Sequence, residues 1–350
     1  MAELVLDLQP EVALDSRPAV LTRHTAVIEK ALQRSALPAR THLGRMASYH
    51  LGWTTPDGER AIAEGGKRIR PALCLWACEA FGEAPATALP AAVSVELIHN
   101  FTLIHDDIQD GDEQRRHRAT VWSIWGAAQG INAGDGMLAL AMRTLLAPGP
   151  HAERRMRAAH VLSSAVVEGV EGQCLDLALE GSPVASQSTY LKLATAKTGA
   201  LLGASLAAGA VLGGAAEDAV RSFDSAGRLL GLAFQIRDDW LGTWGDPEVT
   251  GKGRTGDLKR RKLTYPVVAA YEVASPPRRR ELRRLFTDKE PGGEFRLRAL
   301  LEELGGPTLT ASVPLVLARD AVAMLESCCL PGEAVEDFAE VAIHVAERDR

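Results

Sequence analysis

Apolar residues along this chain recur every three or four positions over long stretches, the spacing that puts one helix face against a core. The spacing predicts helices over Ala91–Ile108, Ala152–Glu180, Ser186–Leu212 and Asp218–Leu241. Ala, Leu, Glu and Arg dominate these runs, and strand signals are nearly absent. Breakers mark the ends. Gly181, Ser182 and Pro183 close one run, Gly213 and Gly214 separate two, and Gly245, Asp246 and Pro247 stop the run that carries Asp238. No solenoid-type repeat and no linker divides residues 27–350, so a single all-α domain is expected there. Residues 1–26 hold two prolines and no sustained period, and read as a flexible tail. The uncharged stretch Thr198–Ala216 approaches membrane-spanning length, but it is mostly Ala and Gly and reads as a tightly packed internal helix.

Composition narrows the classes. The 46% apolar and 24% charged residues are ordinary for a globular protein and exclude disorder as the overall state. A net charge of -6 argues against nucleic acid as the main partner. Cys74, Cys78, Cys174, Cys328 and Cys329 show no paired zinc spacing, and an odd number without a signal-peptide pattern fits a reducing compartment. A cytoplasmic protein without stable membrane insertion is expected. The basic stretches Arg254–Lys262 and Arg278–Arg284 read as solvated helix faces.

Three clusters carry chemistry. Asp106, Asp107 and Asp110 end an apolar helical run, with Asp106 and Asp110 one turn apart on one face. Like charges so placed repel, which suggests a counter-ion, magnesium being the natural one for hard oxygen ligands; a solvated acidic helix end is the bland alternative. Asp238 and Asp239 end a second apolar run, with Gln235 on a shared face, although an adjacent Asp pair alone is common. Two such acidic pairs across a cavity could bridge a diphosphate through metal ions. The third cluster, Gly65-Gly66-Lys67-Arg68-Ile69-Arg70-Pro71, offers backbone approach and three cations to an anion, or is a solvated basic turn. Arg115 and Arg116 form a similar pair.

The motifs GGKRIRP, LIHDDIQDGDEQRR, INAGDGMLALA, GQCLD, KTG, FQIRDD and GDPEVTGK occur in the order in which the polyprenyl synthetase family carries them, and residues 27–345 resemble that family. The resemblance implies the single-domain helical bundle of class I isoprenoid synthases, with a central active-site cavity. It implies a trans-prenyltransferase that joins isopentenyl diphosphate to an allylic diphosphate. Asp106, Asp107 and Asp110 would hold two Mg2+ ions on the allylic diphosphate, and Asp238, with Asp239, a third; Mn2+ could substitute. Arg115 resembles the arginine of the allylic diphosphate. Lys67, Arg70, His99 and Arg116 match positions that bind isopentenyl diphosphate. Lys197, Thr198 and Gln235 match positions facing the allylic diphosphate or the developing cation, and Gln173, Asp176, Lys252 and Lys262 match a supporting shell and closing loop. A homodimer is also implied.

Two departures stand out. Gly242 replaces the third carboxylate of the second acidic motif, and His117 replaces the glycine after the paired arginines. Phe101, five residues and ~7.5 Å before Asp106 along a helix axis, is expected to floor the cavity beside the smaller Thr102. A bulky residue there resembles the floor of short-chain members, and the uninserted DDIQD spacing resembles geranylgeranyl-forming members; the resemblance implies a C20 product (geranylgeranyl diphosphate), with C15 (farnesyl diphosphate) next. A class I terpene cyclase would have no use for Lys67, Arg70 and His99, and a noncatalytic partner subunit would have lost its first acidic cluster.

Overall fold

Helix α10 (Ala200–Leu212) is buried at every position, and the rest of the bundle is arranged around it. The computed structural model describes residues 17–37, 40–61, 66–180, 186–245, 256–287 and 291–348. Ahead of α10 come α1 (Ala19–Thr22), α2 (Thr25–Ser35), α3 (His42–His50), α4 (Ile69–Glu79), α5 (Pro85–Asp110), α6 (Val121–Trp125), α7 (Ala127–Leu145), α8 (Ala152–Leu179) and α9 (Gln187–Ala194). After it come α11 (Glu217–Trp244) and a run of shorter helices from Gly256 to Glu347. A two-residue ladder, Gln114–Arg115 with Arg118–Ala119, is the only sheet among the described residues.

Small side chains bring α10 close to its neighbours. A Cβ on Gly209 would lie 2.1 Å from the Cys74 carbonyl oxygen of α4. One on Gly227 of α11 would lie 2.6 Å from the Gly203 Cα of α10. The Ala/Gly composition that resembles a weak membrane span is therefore what backbone-to-backbone packing requires. By length and hydropathy three stretches could cross a bilayer; Pro85–Asp110 and Gln187–Leu212 are instead largely buried in the fold, and Gly306–Glu326 is not. The C-terminal helices build a second core, in which Ile236 of α11 meets Leu258, Val267, Phe286 and Leu297.

All four predicted long helices are present, with ends shifted by a few residues. α5 starts with Pro85 in its first turn and ends where Gly111 takes a left-handed conformation (φ 67°). Part of the expected tail is packed: Val20 and Leu21 are buried, and α1 lies on α4 and on the C-terminal helix Gly332–Glu347. Three apolar residues between Pro18 and a polar run are too few to show a period in sequence. The single run expected over Ser186–Leu212 is interrupted by one π-helical turn, Thr195–Gly199.

Two glycines of α8 give a test. A Cβ on Gly172 would lie 2.5 Å from the Lys197 backbone nitrogen, whereas one on Gly169 meets nothing nearer than the Ala196 carbonyl oxygen at 3.8 Å. Gly172→Ala is expected to lower stability by about 1–3 kcal/mol through overpacking, and Gly169→Ala to be neutral or to add up to about 1 kcal/mol through helix propensity. Urea unfolding of both variants measures the difference.

Candidate active site

The π turn Thr195–Gly199 holds the Lys-Thr-Gly motif. A π turn inserts an extra residue into a helix and re-aims the side chains around it. Gly172 of α8 and Gly231 of α11, whose Cβ would lie 2.6 Å from Gly199 Cα, make the room. Lys197 Nζ donates to Asp176 Oδ2 at 2.6 Å, and Thr198 Oγ1 donates to Gln235 Oε1 of α11 at 2.7 Å. Burial acts to lower the Lys197 pKa, but the field of Asp176 and Asp106 outweighs it and holds the amine charged. Gln173, one residue beyond Gly172, donates to Gln109 Oε1 on α5 at 2.7 Å.

The first acidic cluster ends α5. Asp106 is partly buried, makes no hydrogen bond with the described residues, and has its pKa raised by burial, against the pull of Lys197. Asp107 is buried and accepts from Arg115 Nε at 2.7 Å; burial raises its pKa to about 6, and its Oδ2 has no hydrogen-bond partner among the described residues. Lys262 Nζ donates to Asp110 Oδ2 at 2.6 Å, and Arg260 donates to Asp112 at 2.8 Å. At Asp110 burial acts upward, but Lys262 and Arg260 hold its pKa below the usual value. The segment before Tyr265 is thus pinned by its cations to the end of α5.

The second acidic pair is divided in role. Asp238 accepts from Arg348 Nη2 at 2.5 Å, and that guanidinium lies 3.6 Å over the Phe234 ring. Asp239, expected beside it as a metal ligand, is buried. Its Oδ2 accepts from the Tyr190 hydroxyl at 2.7 Å and the Tyr265 backbone N–H at 2.8 Å, and its Oδ1 from Gln235 Nε2 at 2.9 Å. Burial raises its pKa to about 7. Adjacent residues on a helix point about 100° apart, so one of the pair turns inward when the other faces the cavity. At Gly242, a Cβ would lie 3.0 Å from Asp257 Oδ2; the Asp257 carboxylate stands where the third acidic side chain of the motif would begin.

In the basic cluster the middle cation is structural. Arg68 has a left-handed backbone (φ 52°) and a buried side chain, with Nη1 on Glu96 at 2.6 Å and Nη2 on Glu29 at 2.9 Å. Its neighbours are left toward the site. Arg70 lies 3.4 Å from His99 Nε2, and burial brings its pKa down to about 10. Burial, with Arg70, Arg116 and Arg115, lowers the His99 pKa, so its ring is neutral. Lys67 lies close enough to His344 to depress that histidine after burial. Gly66 (φ 108°) backs onto Arg116, whose Nη2 would lie 2.9 Å from a Cβ there. Lys252 lies outside the described residues.

Helical phase separates the two residues expected at the cavity floor. Phe101 is buried and packs edge-on to His105, ring centroids 4.9 Å apart. Five residues advance a helix by about 140° past full turns, so Phe101 leans away from the Asp106 stripe, toward α7. There Gly134 of the INAGDGM motif leaves room for His105, whose Nε2 would lie 2.2 Å from a Cβ at that position. Thr102, one turn before Asp106, is the half-buried residue on its stripe. His50, unremarkable in sequence, joins the cationic group: with Tyr49, Asp107, Arg115, Arg116 and Arg118 it lines a narrow cleft. Burial, then Arg115, Arg116 and Arg118, bring its pKa down to about 3. Neither spacing nor composition marks it, because α3 lies far from Arg115 in the chain.

Carboxylates at the end of α5, an ammonium between them and Asp176, and a cationic basin holding neutral histidines form a site built for a polyanion. The chain belongs to the polyprenyl synthetase family, whose model matches residues 56–304. It is a prenyltransferase, a trans-prenyl diphosphate synthase on the all-α fold of class I isoprenoid synthases. It is 39% identical over 328 residues to the (2E,6E)-farnesyl diphosphate synthase of Mycobacterium tuberculosis strain H37Rv, covering 92% of this chain and 90% of that one. It is 42% identical over 264 residues to the geranylgeranyl diphosphate synthase of the same strain, with 75% of each chain covered. The crystal structure of a polyprenyl synthetase from Streptomyces coelicolor superposes with a TM-score of 0.83 at 39% identity, covering 93% of this chain and 97% of that one.

The His50 value in the folded chain lies below the unfolded value of about 6.5. Its contribution is therefore present above pH 6.5 and lost as pH falls toward about 3. Between pH 7.5 and 5, wild type is expected to lose about 1–2 kcal/mol relative to His50→Asn. Paired denaturant melts at the two pH values measure it.

Proposed function

We propose that this enzyme joins isopentenyl diphosphate to an allylic diphosphate (C5, C10 or C15) and releases a short-chain prenyl diphosphate, C20 favoured and C15 next. The observation that carries this reading is the π turn. It directs Lys197 to Asp176, within the field of Asp106 and Asp110, and Thr198 to Gln235, one turn before the second acidic pair. Asp106, Asp107, Asp110 and Asp238 would hold divalent cations, magnesium with manganese as a substitute, three ions in all. They are hard oxygen donors, and the unpartnered Asp107 Oδ2 and the free Asp106 fit that role. No three His, Cys, Asp or Glu side chains converge on one point among the described residues. Such a site suits magnesium, which takes one or two carboxylates and completes its shell with phosphate oxygens and water. Bound there, the metal supplies charge that stabilises the departing diphosphate.

The chain's own groups do the rest. Lys197 and Arg115, and Lys262 from the closing segment with Lys252, orient the allylic diphosphate and favour its departure. Lys67, Arg70, His99 and Arg116 hold the diphosphate of isopentenyl diphosphate; two neutral histidines among arginines add no competing charge. Attack by the isopentenyl double bond follows, and the lost proton goes to the departing pyrophosphate. Thr198 and Gln235 face the developing cation, and the apolar walls exclude water. The small Thr102 side chain leaves room for a C20 tail. A second copy is proposed to cover the exposed stripe Val167, Val170, Cys174 and Leu177 of α8. Five unpaired cysteines fit a reducing cytoplasm.

Purified protein with magnesium, isopentenyl diphosphate and each allylic primer is expected to yield a chain-extended linear product that disappears with chelator. Asp106→Ala is expected to lower kcat by about a thousandfold or more. A cyclic hydrocarbon from an allylic substrate alone would identify a cyclase, and absence of turnover a noncatalytic subunit. The same assay tests the floor: Thr102→Phe is expected to shorten the main product by at least one C5 unit, and Phe101→Leu to leave it unchanged. Chromatography of the dephosphorylated alcohols reads both.

A further inference from the structure

The prenyl transfer proposed above puts Thr198 and Gln235 against the cation, but leaves open what fixes the direction of their hydrogen bonds. A buried chain of bonds runs behind them. The Tyr190 hydroxyl of α9 and the Tyr265 backbone N–H both donate to Asp239 Oδ2, at 2.7 and 2.8 Å. Asp239 Oδ1 accepts from Gln235 Nε2 at 2.9 Å, and Gln235 Oε1 accepts from the Thr198 hydroxyl at 2.7 Å. Asp239 is 5% exposed and Tyr190 1%. A carboxylate can only accept, so the Gln235 amide must turn its NH2 toward Asp239 and its oxygen toward Thr198. Thr198 has one hydroxyl hydrogen, and it is thereby committed to Gln235. Its oxygen lone pairs are left for the substrate side.

We infer that Asp239 is a positioning residue: with Tyr190 it sets the polarity of the Gln235 amide, so that Thr198 presents lone pairs rather than a hydroxyl hydrogen to the allylic cation. This inference rests on the condensation reading, and it gives the second aspartate of the pair a role distinct from that of Asp238. Dipoles fixed before the reaction stabilise developing charge without reorganising, and reversing one turns stabilisation into repulsion.

Asp239→Asn tests it with a near-isosteric change. The Asn oxygen can replace Oδ2 under the two donors, which leaves its NH2 facing Gln235. The Gln235 amide must then flip, present NH2 to Thr198, and free the hydroxyl hydrogen toward the cavity. At pH 8.5, D239N is expected to lose about 100-fold in kcat, with KM for both substrates changed less than about threefold and the far-ultraviolet spectrum unchanged. Gln235→Glu in that background restores an acceptor on both sides, and Q235E/D239N is expected to recover kcat to within about tenfold of wild type. An unchanged kcat in D239N, or a folded double variant no better than D239N, overturns the inference. Should D239N not fold, Gln235→Met removes the acceptor that commits the Thr198 hydroxyl hydrogen while keeping the side-chain volume. Its kcat is expected to fall further in the wild-type background than in Thr198→Val; equal falls in both, or none, overturn the inference. Absence of chain-extended product from wild type would overturn the condensation reading itself.

Discussion

Direct backbone contact between helices is the constraint on which this structure depends. Where α8, the π turn and α11 meet, Gly172, Gly199 and Gly231 let one main chain touch the next at distances that no Cβ allows. The approach is needed because Lys197 and Thr198 are adjacent on one turn yet serve two different helices. A regular α-helix would still point them about 100° apart, but one residue fewer would move both relative to α11. The π turn absorbs that residue, and the glycines keep the neighbouring helices close enough for side chains of ordinary length to reach. Catalytic geometry here is a packing property first and an electrostatic one second.

The electrostatics follow from burial. Asp106, Asp107 and Asp239 all have raised pKa values, with loss of water as the leading cause, while Asp110 is held down because Lys262 and Arg260 reach it. Burial disfavours each bare charge and a nearby cation offsets it: Lys197 at Asp106, Arg115 at one oxygen of Asp107, and Lys262 with Arg260 at Asp110.

Much of this was legible in the sequence, and the reasons are physical. Helices of 26 and 28 residues carry enough periods to be read from one chain, so α5, α8 and α11 were placed to within a few residues, and the Asp106–Asp110 spacing put both carboxylates on one face. Residue roles that depend on helical phase were harder. Phe101 was placed by its axial distance from Asp106 and Asp239 by the family motif, and neither reading says which way the side chain turns about the helix, where rotation separates each from its neighbour. Contacts between distant segments left no trace at all: His50 beside Arg115, Asp257 beside Gly242, and Tyr190 on Asp239 each join elements whose pairing no local pattern encodes.

The ion pairs around the site set a condition on anything that binds there. Arg348 is buried against Asp238, and Lys262 against Asp110. Removing one partner of such a pair leaves the other charge poorly solvated, the more so the deeper it lies, as Arg348 does. A divalent cation arriving alone at Asp238 or Asp110 would strand a guanidinium or an ammonium. A diphosphate arriving alone would meet the carboxylates. Only the two together would exchange partners without leaving a charge uncompensated, which is the condition the proposed metal–diphosphate reading has to meet at these two pairs.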